Sequence, residues 1–231
     1  MECIHEKSYF TEKSIRERAK RYGFSDLLPL ELFLWDCEIA AQLQLESDKL
    51  ILKGGAAVQL HLPVEAQRGS VDIDFIGPLN KQELQGIISK VEERLNGVRF
   101  KLHKPKHPKL NIPLVTYYVK VPAVAPTETR KDLEIKTEFL LEDVRVPASI
   151  VSQIETFAVK IKSLKCYSPT ALIGDKLLTL AEKTIGIQRQ EDIPKQIYDI
   201  TQLSEHYISS TNDISKIIEV MKEIMPMEAS Y

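Results

Sequence analysis

Hydrophobic and polar positions fall into two textures along the chain. Residues 8–22 are strongly charged and helical in pattern. In PLELFLWDCEIAAQL, Pro29 suits a first helical turn, and Leu32, Trp35, Ile39 and Leu43 share one helical face. Trp35 therefore reads as core. KLILKGG reads as a short buried strand ending in Gly54-Gly55, and AAVQLHL as one or two helical turns. SVDIDFIG is the next strand, with Val71, Ile73 and Phe75 on one face and Asp72 and Asp74 on the other. NKQELQGIISKVEERLN is an amphipathic helix with Leu84, Ile87, Ile88, Val91 and Leu95 inward. VRFKLH, IPLVTYYVKVP and DLEIKTEFLL read as strands. This first part combines helices with a mostly consecutive sheet, an α+β pattern.

Past about Pro147 the pattern predicts helices: ASIVSQIETFAVKIKSL, SPTALIGDKLLTLAEKTIG, IPKQIYDITQLSEHY and DISKIIEVMKEIM. Ser168 and Asp213 are expected N-caps, Pro169 and Pro194 first-turn residues, and Gly186 a helix stop. The expected organisation is a sheet-containing part with N-terminal helices over 1–147 and a helical part over 148–231.

Composition narrows the class. Apolar content of 43% and charged content of 28% fit a folded protein rather than a disordered one. A net charge of -2 leaves no global basic field, so any nucleic-acid contact must come from a local patch. Cys3, Cys37 and Cys166 are few and far apart, which argues against a disulfide framework or a cysteine zinc site. No apolar stretch is long enough for a bilayer and no signal region opens the chain. A soluble cytoplasmic protein without membrane contact is expected.

The aspartate pair is the first chemical signal. Residues two apart on a strand lie roughly 6.5–7 Å apart on one face. Their carboxylates repel unless a cation joins them. Mg2+ favours one or two carboxylates plus substrate phosphates, so Asp72-x-Asp74 suits a nucleotide–metal complex. A Gly pair between strand and helix lets a phosphate approach backbone N–H groups closely, which makes Gly54 and Gly55 candidates for phosphate contact. Lys53, Arg68 and Ser70 could add further phosphate contacts. In KLHKPKHPKLNIP, Lys101, His103, Lys104, Lys106, His107 and Lys109 form a basic loop between strands, open to RNA phosphate contact or simply solvated. His61 reads as structural.

LKGGAAVQLHL…RGSVDIDF resembles the start of the AbiEii/AbiGii-type nucleotidyltransferases, relatives of the MenT toxins within the polymerase-β-like superfamily. GDKLLTLAEK and PKQIYDITQL resemble that family's second signature, supplying Lys176 and then Asp199. The likeness covers roughly residues 50–205. It implies a polymerase-β-like core with a mixed sheet and flanking helices, followed by a helical C-terminal domain. It implies that Asp72 and Asp74 hold Mg2+, with Mn2+ as an alternative, and the nucleotide triphosphate. Ser70 and Gly54-Gly55 would contact phosphate, and Lys176 would neutralise charge as pyrophosphate leaves. Asp199 would position the acceptor, orient Lys176 or assist the metal. The implied acceptor is the 3′ end of tRNA, and the implied partner a cognate antitoxin. A protein or small-molecule acceptor, or a catalytically inactive nucleotide-binding or partner-binding protein, are the alternatives. Gln196 departs from the family's usual Asp, with Lys195 before it. Either Glu134 or Glu138 could supply a third acidic residue.

Overall fold

The computed structural model describes residues 2–104, 113–143, 145–181 and 190–230. Helix α1 (Glu12–Tyr22) starts at Thr11, whose hydroxyl accepts from the Ser14 amide, and ends at Gly23 in the left-handed region. Helix α2 (Leu28–Glu46) is buried continuously from Leu30 to Leu43. It is buried on every side, rather than on the single face that its spacing suggests. Its buried polar residues other than Asp36 find partners. Glu31 accepts from the amides of Val124 and Ala125 and from Arg130. Glu38 accepts from the amides of Ile4 and His5, and also contacts the His5 ring. Trp35 is core as expected, its indole donating to the Pro122 carbonyl.

Strand β1 (Ile51–Lys53) leads directly into helix α3 (Gly54–Gln59). Strand β2 (Asp72–Ile76) follows, then α4 (Lys81–Arg94), opened by a reciprocal cap between Asn80 and Glu83. Strands β3 (Arg99–Leu102), β4 (Leu114–Pro122) and β5 (Asp132–Leu140) come next, followed by β6 (Ala148–Ser152) and β7 (Ser163–Tyr167). The seven strands form one mixed sheet in the order β3-β4-β5-β2-β1-β7-β6. β2 runs parallel to β5, and β1 parallel to β7; the other neighbours are antiparallel. Ile73, Phe75, Ile135 and Phe139 turn to one sheet face, where α2 packs and the Phe75 and Phe139 rings stack at 5.5 Å. Asp72, Asp74, Lys136 and Glu138 take the opposite face by strand alternation.

The segment 148–164 corrects the sequence reading. It is not a helix; β6 and β7 form an antiparallel hairpin that continues the sheet. Val151, Ile154, Phe157, Ile161 and Leu164 recur at helix-like spacing, which explains the misreading. Tertiary pairing overrides it: β7 lies beside β1, and Arg18 binds Glu155 together with the carbonyls of Thr156 and Phe157.

Three helices follow: α5 (Pro169–Thr179), α6 (Ile193–Tyr207) and α7 (Thr211–Ser230). Ser168 caps α5 by accepting from the Ala171 amide. Asp213 is not the cap of α7 but lies in its first turn, where it accepts from the amides and hydroxyls of Ser209 and Ser210. Gly174 brings α5 close to α7, since a Cβ there would stand 3.0 Å from Val220 Cγ1. Tyr198 and Tyr207 of α6 donate to the Ala66 and His61 carbonyls, tying this helix to the stretch before β2. The Gly186 expectation lies outside the described residues, as do Lys106, His107 and Lys109. Among the described residues no helix is long and apolar enough to cross a membrane.

Candidate active site

Three neighbouring strands assemble the acidic side of a cleft. The β2–β5 ladder sets Lys136 across from Asp72 and Glu138 across from Asp74. On the other flank, β1 sets Lys53 across from Asp74. Glu134 sits further out on β5, opposite Lys120, so Glu138 is the glutamate beside the aspartate pair. Immediately after Lys53 the chain turns through Gly54 at φ 69°, and a Cβ there would lie 2.1 Å from Asp74 Oδ2. Gly54 is thus required both for the left-handed turn and for the carboxylate's approach. A Cβ on Gly55 would meet Ser70 Oγ at 3.1 Å and the Arg68 guanidinium at 3.3 Å.

The C-terminal helices supply the basic side. Asp175 and Lys176 are consecutive on α5 and both are buried. Asp175 accepts from Lys53 Nζ at 2.8 Å. Lys176 Nζ lies 2.8 Å from Asp199 Oδ2 on α6 and donates to Gln196 Oε1 at 2.6 Å. Asp199, fully buried, also takes two parallel bonds from Arg68, Nε to Oδ1 at 2.8 Å and a terminal nitrogen to Oδ2 at 2.6 Å. Asp199 therefore joins Arg68 from the core to Lys176 from α5. Gln196, which the sequence resemblance left in question, thus meets Lys176 directly. Ser70 is buried, with its hydroxyl 3.4 Å from the Asp72 carbonyl oxygen.

A cavity of about 280 Å3 opens between the two sides, lined by Lys53, Gly54, Gly55, Asp74, Glu138, Asp175, Lys176, Thr179 and Gln196 among others. Asp74 and Lys176, about a hundred residues apart in sequence, face the same space. Asp72, Ser70, Arg68 and Asp199 are not part of this lining. Burial, then the neighbouring Glu138 charge, pushes the Asp74 carboxyl up to about 6, with Lys53 opposing. Burial likewise raises Asp72, against the pull of Lys136. Among the described residues, neither aspartate's carboxylate receives a side-chain hydrogen bond or ion pair. Two crowded, unpaired carboxylates are a donor set suited to a hard divalent cation. No three His, Cys, Asp or Glu side chains are grouped tightly enough to hold a metal among the described residues. Further ligands would have to be phosphate oxygens or water.

Sequence reasoning missed Asp175, Lys136 and Asp36. Asp36 lies on α2 with both carboxylate oxygens unpartnered among the described residues. Burial and then the charges of Asp72 and Asp74 raise its carboxyl far above the ordinary range. Its one visible sign is a carboxylate within the apolar run LFLWDCEIAA. Asp175 gives no sign of its own, because its partner is 122 positions away.

Three solved structures share this architecture. MenT4, a nucleotidyltransferase toxin from Mycobacterium tuberculosis, matches with a TM-score of 0.56 at 16% identity, over 90% of this chain and 68% of its own. A protein from H. pylori assigned as a nucleotidyltransferase matches with a TM-score of 0.52 at 18% identity, over 87% and 80% of the respective chains. An antigenic nucleotidyltransferase-like protein from Paracoccidioides brasiliensis gives 0.51 at 11% identity, over 85% and 88%. At such identities the likeness establishes the fold. No curated protein matches the chain in sequence. The family model for the nucleotidyl transferase AbiEii toxin of type IV toxin–antitoxin systems matches residues 39–227, a span that holds both sides of the cleft. The chain belongs to that family and is a nucleotidyltransferase.

Proposed function

We propose that the chain transfers a nucleoside monophosphate from an NTP to an acceptor hydroxyl at the 3′ end of tRNA, as the toxin of a pair opposed by a cognate antitoxin. The observation that carries the reading is that Asp74 from β2 and Lys176 from α5 line one cavity. Asp72 and Asp74 are the residues that would hold Mg2+, or Mn2+. That ion, when bound, would supply positive charge against the triphosphate. Lys176 and Lys53 bring fixed ammonium groups to the same space, placed to neutralise the charge that develops on departing pyrophosphate. Asp199 orients Lys176. Arg68 holds Asp199, and Gly54 lets Asp74 reach its place. Gly55 and Ser70 keep the turn open to a phosphate. Lys101 and Lys104, at the exposed end of β3, add local positive charge for a nucleic-acid acceptor.

The test is direct. Purified protein is incubated with Mg2+, each labelled NTP, and either tRNA or a protein extract. Label on tRNA is expected; label on protein alone would change the acceptor. Asp72→Ala and Lys176→Ala are expected to cut transfer by at least about 100-fold while leaving the folded spectrum intact. Full activity in both variants would refute the site.

A further inference from the structure

Lys136 has no role in the transfer reading, yet it stands inside the acidic face. Asp72 and Asp74 on β2, with Lys136 and Glu138 on β5, form a two-by-two grid of side chains. Three corners are acidic. As they stand, the three carboxylates are not grouped tightly enough to hold a metal, yet Glu138 lies across from Asp74, and a third carboxylate brought to the pair would favour a bare divalent ion. The fourth corner changes that. Lys136 Nζ lies 2.5 Å from Glu138 Oε2, and the Thr116 hydroxyl donates to Glu138 Oε1 at 3.0 Å. Both oxygens of Glu138 are therefore engaged, while the two aspartates have no such partner. The Lys136 side chain is 38% exposed, so the pair is worth little to stability, and a purely structural role explains it poorly.

We infer that Lys136 is a built-in counter-ion that holds Glu138 out of the cation's coordination shell, so that the divalent ion enters with the nucleotide rather than alone. The inference rests on the nucleotidyl-transfer reading. Two carboxylates hold Mg2+ well only when phosphate oxygens complete the shell. The site thus stays closed to free metal and open to the loaded nucleotide.

Mn2+ titration without nucleotide, with the free ion counted by electron paramagnetic resonance, tests this on the intact chain. Lys136→Met is expected to bind Mn2+ about tenfold more tightly than the wild type, because Glu138 becomes free to join as a ligand. Lys136→Arg, which keeps both charge and bond, is expected to match the wild type and serves as the folded control. In the double variant Lys136→Met/Glu138→Gln the gain over Glu138→Gln alone should vanish. An unchanged affinity in Lys136→Met overturns the inference. So does a gain that survives in the Glu138→Gln background, since the lysine would then act by charge alone. Transfer by the wild type is measured in parallel. Transfer without the Mn2+ effect sinks only this inference, whereas no transfer with any acceptor sinks the function.

Discussion

Around Asp74, Lys53 comes from β1, Glu138 from β5, and Gly54 presses against the carboxylate itself. The cost of that crowding has a definite pH signature. The folded carboxyl is pushed up to about 6 from an ordinary value of 3.8, so the folded state binds the proton more tightly than the unfolded chain. Stability then falls as pH rises from about 4 to about 6, and the full penalty is present above that window. Asp74→Asn removes the charge. It is expected to raise stability at pH 7.5 by on the order of 2 kcal/mol, or roughly 5 °C in thermal midpoint, while abolishing transfer. The gain should shrink below pH 6 and vanish near pH 4. Thermal unfolding followed by circular dichroism in EDTA across that range checks it, and an equal or lower midpoint at pH 7.5 would contradict the electrostatic account. At this scale the aspartate pair was readable from sequence, because strand alternation fixes which residues share a face. Asp175, Lys136 and the choice of Glu138 over Glu134 were not, since each depends on which strand or helix lies alongside.

The β1–α3 junction shows how an element's end can set a site. Gly54 combines two constraints that a control can separate. Gly23 has a similar φ of 75°, but a Cβ there would meet nothing within 4 Å. Gly54→Ala and Gly23→Ala should therefore each lose about 1 kcal/mol to backbone strain. Only Gly54→Ala should also lose transfer, by at least about 100-fold, because its methyl displaces Asp74. Transfer per folded molecule, measured beside the thermal midpoint, separates the two, and an active Gly54→Ala would show that the carboxylate's position is not critical. Elements were legible in proportion to how local their causes are. The cap at Ser168 and the helix after Asn80 follow from neighbours within one turn. The segment 148–164 was not legible, because its apolar spacing fits a helix and only the edge offered by β1 makes it a hairpin. The burial of α2 on every side was hidden for the same reason, as the partners of Glu31 and Glu38 come from distant parts of the chain.

Among the described residues, two ionic ties that flank the cleft join the sheet side to the C-terminal helices. One is Lys53 with Asp175; the other is Arg68 with Asp199 and Lys176. The second matters more to assembly, because one buried carboxylate answers two cations. Its sequence trace was the resemblance that placed Lys176 and Asp199 in order; nothing local distinguishes Asp199 from an ordinary helix-pair partner of Lys195. Lys195 in fact pairs with Asp192, which leaves Asp199 to the core. Removing the carboxylate strands Arg68 and Lys176 as uncompensated, largely buried charges, so Asp199→Ala should destabilise the chain by about 3–5 kcal/mol. The loss should not be uniform. The tyrosine bonds from α6 to the stretch before β2 are single neutral hydrogen bonds, worth about 1 kcal/mol each, and cannot hold the helix against two unpaired cations. Hydrogen exchange should therefore show amides of α6 losing protection well before those of β2 and β5, whose ladder the substitution leaves untouched. Equal loss across sheet and helices would mean that the cleft walls unfold as one unit, and that Asp199 serves the whole fold rather than the seam. Protection lost first in α6 would locate the seam at the cleft itself, where a bound triphosphate would add its own charge between the walls.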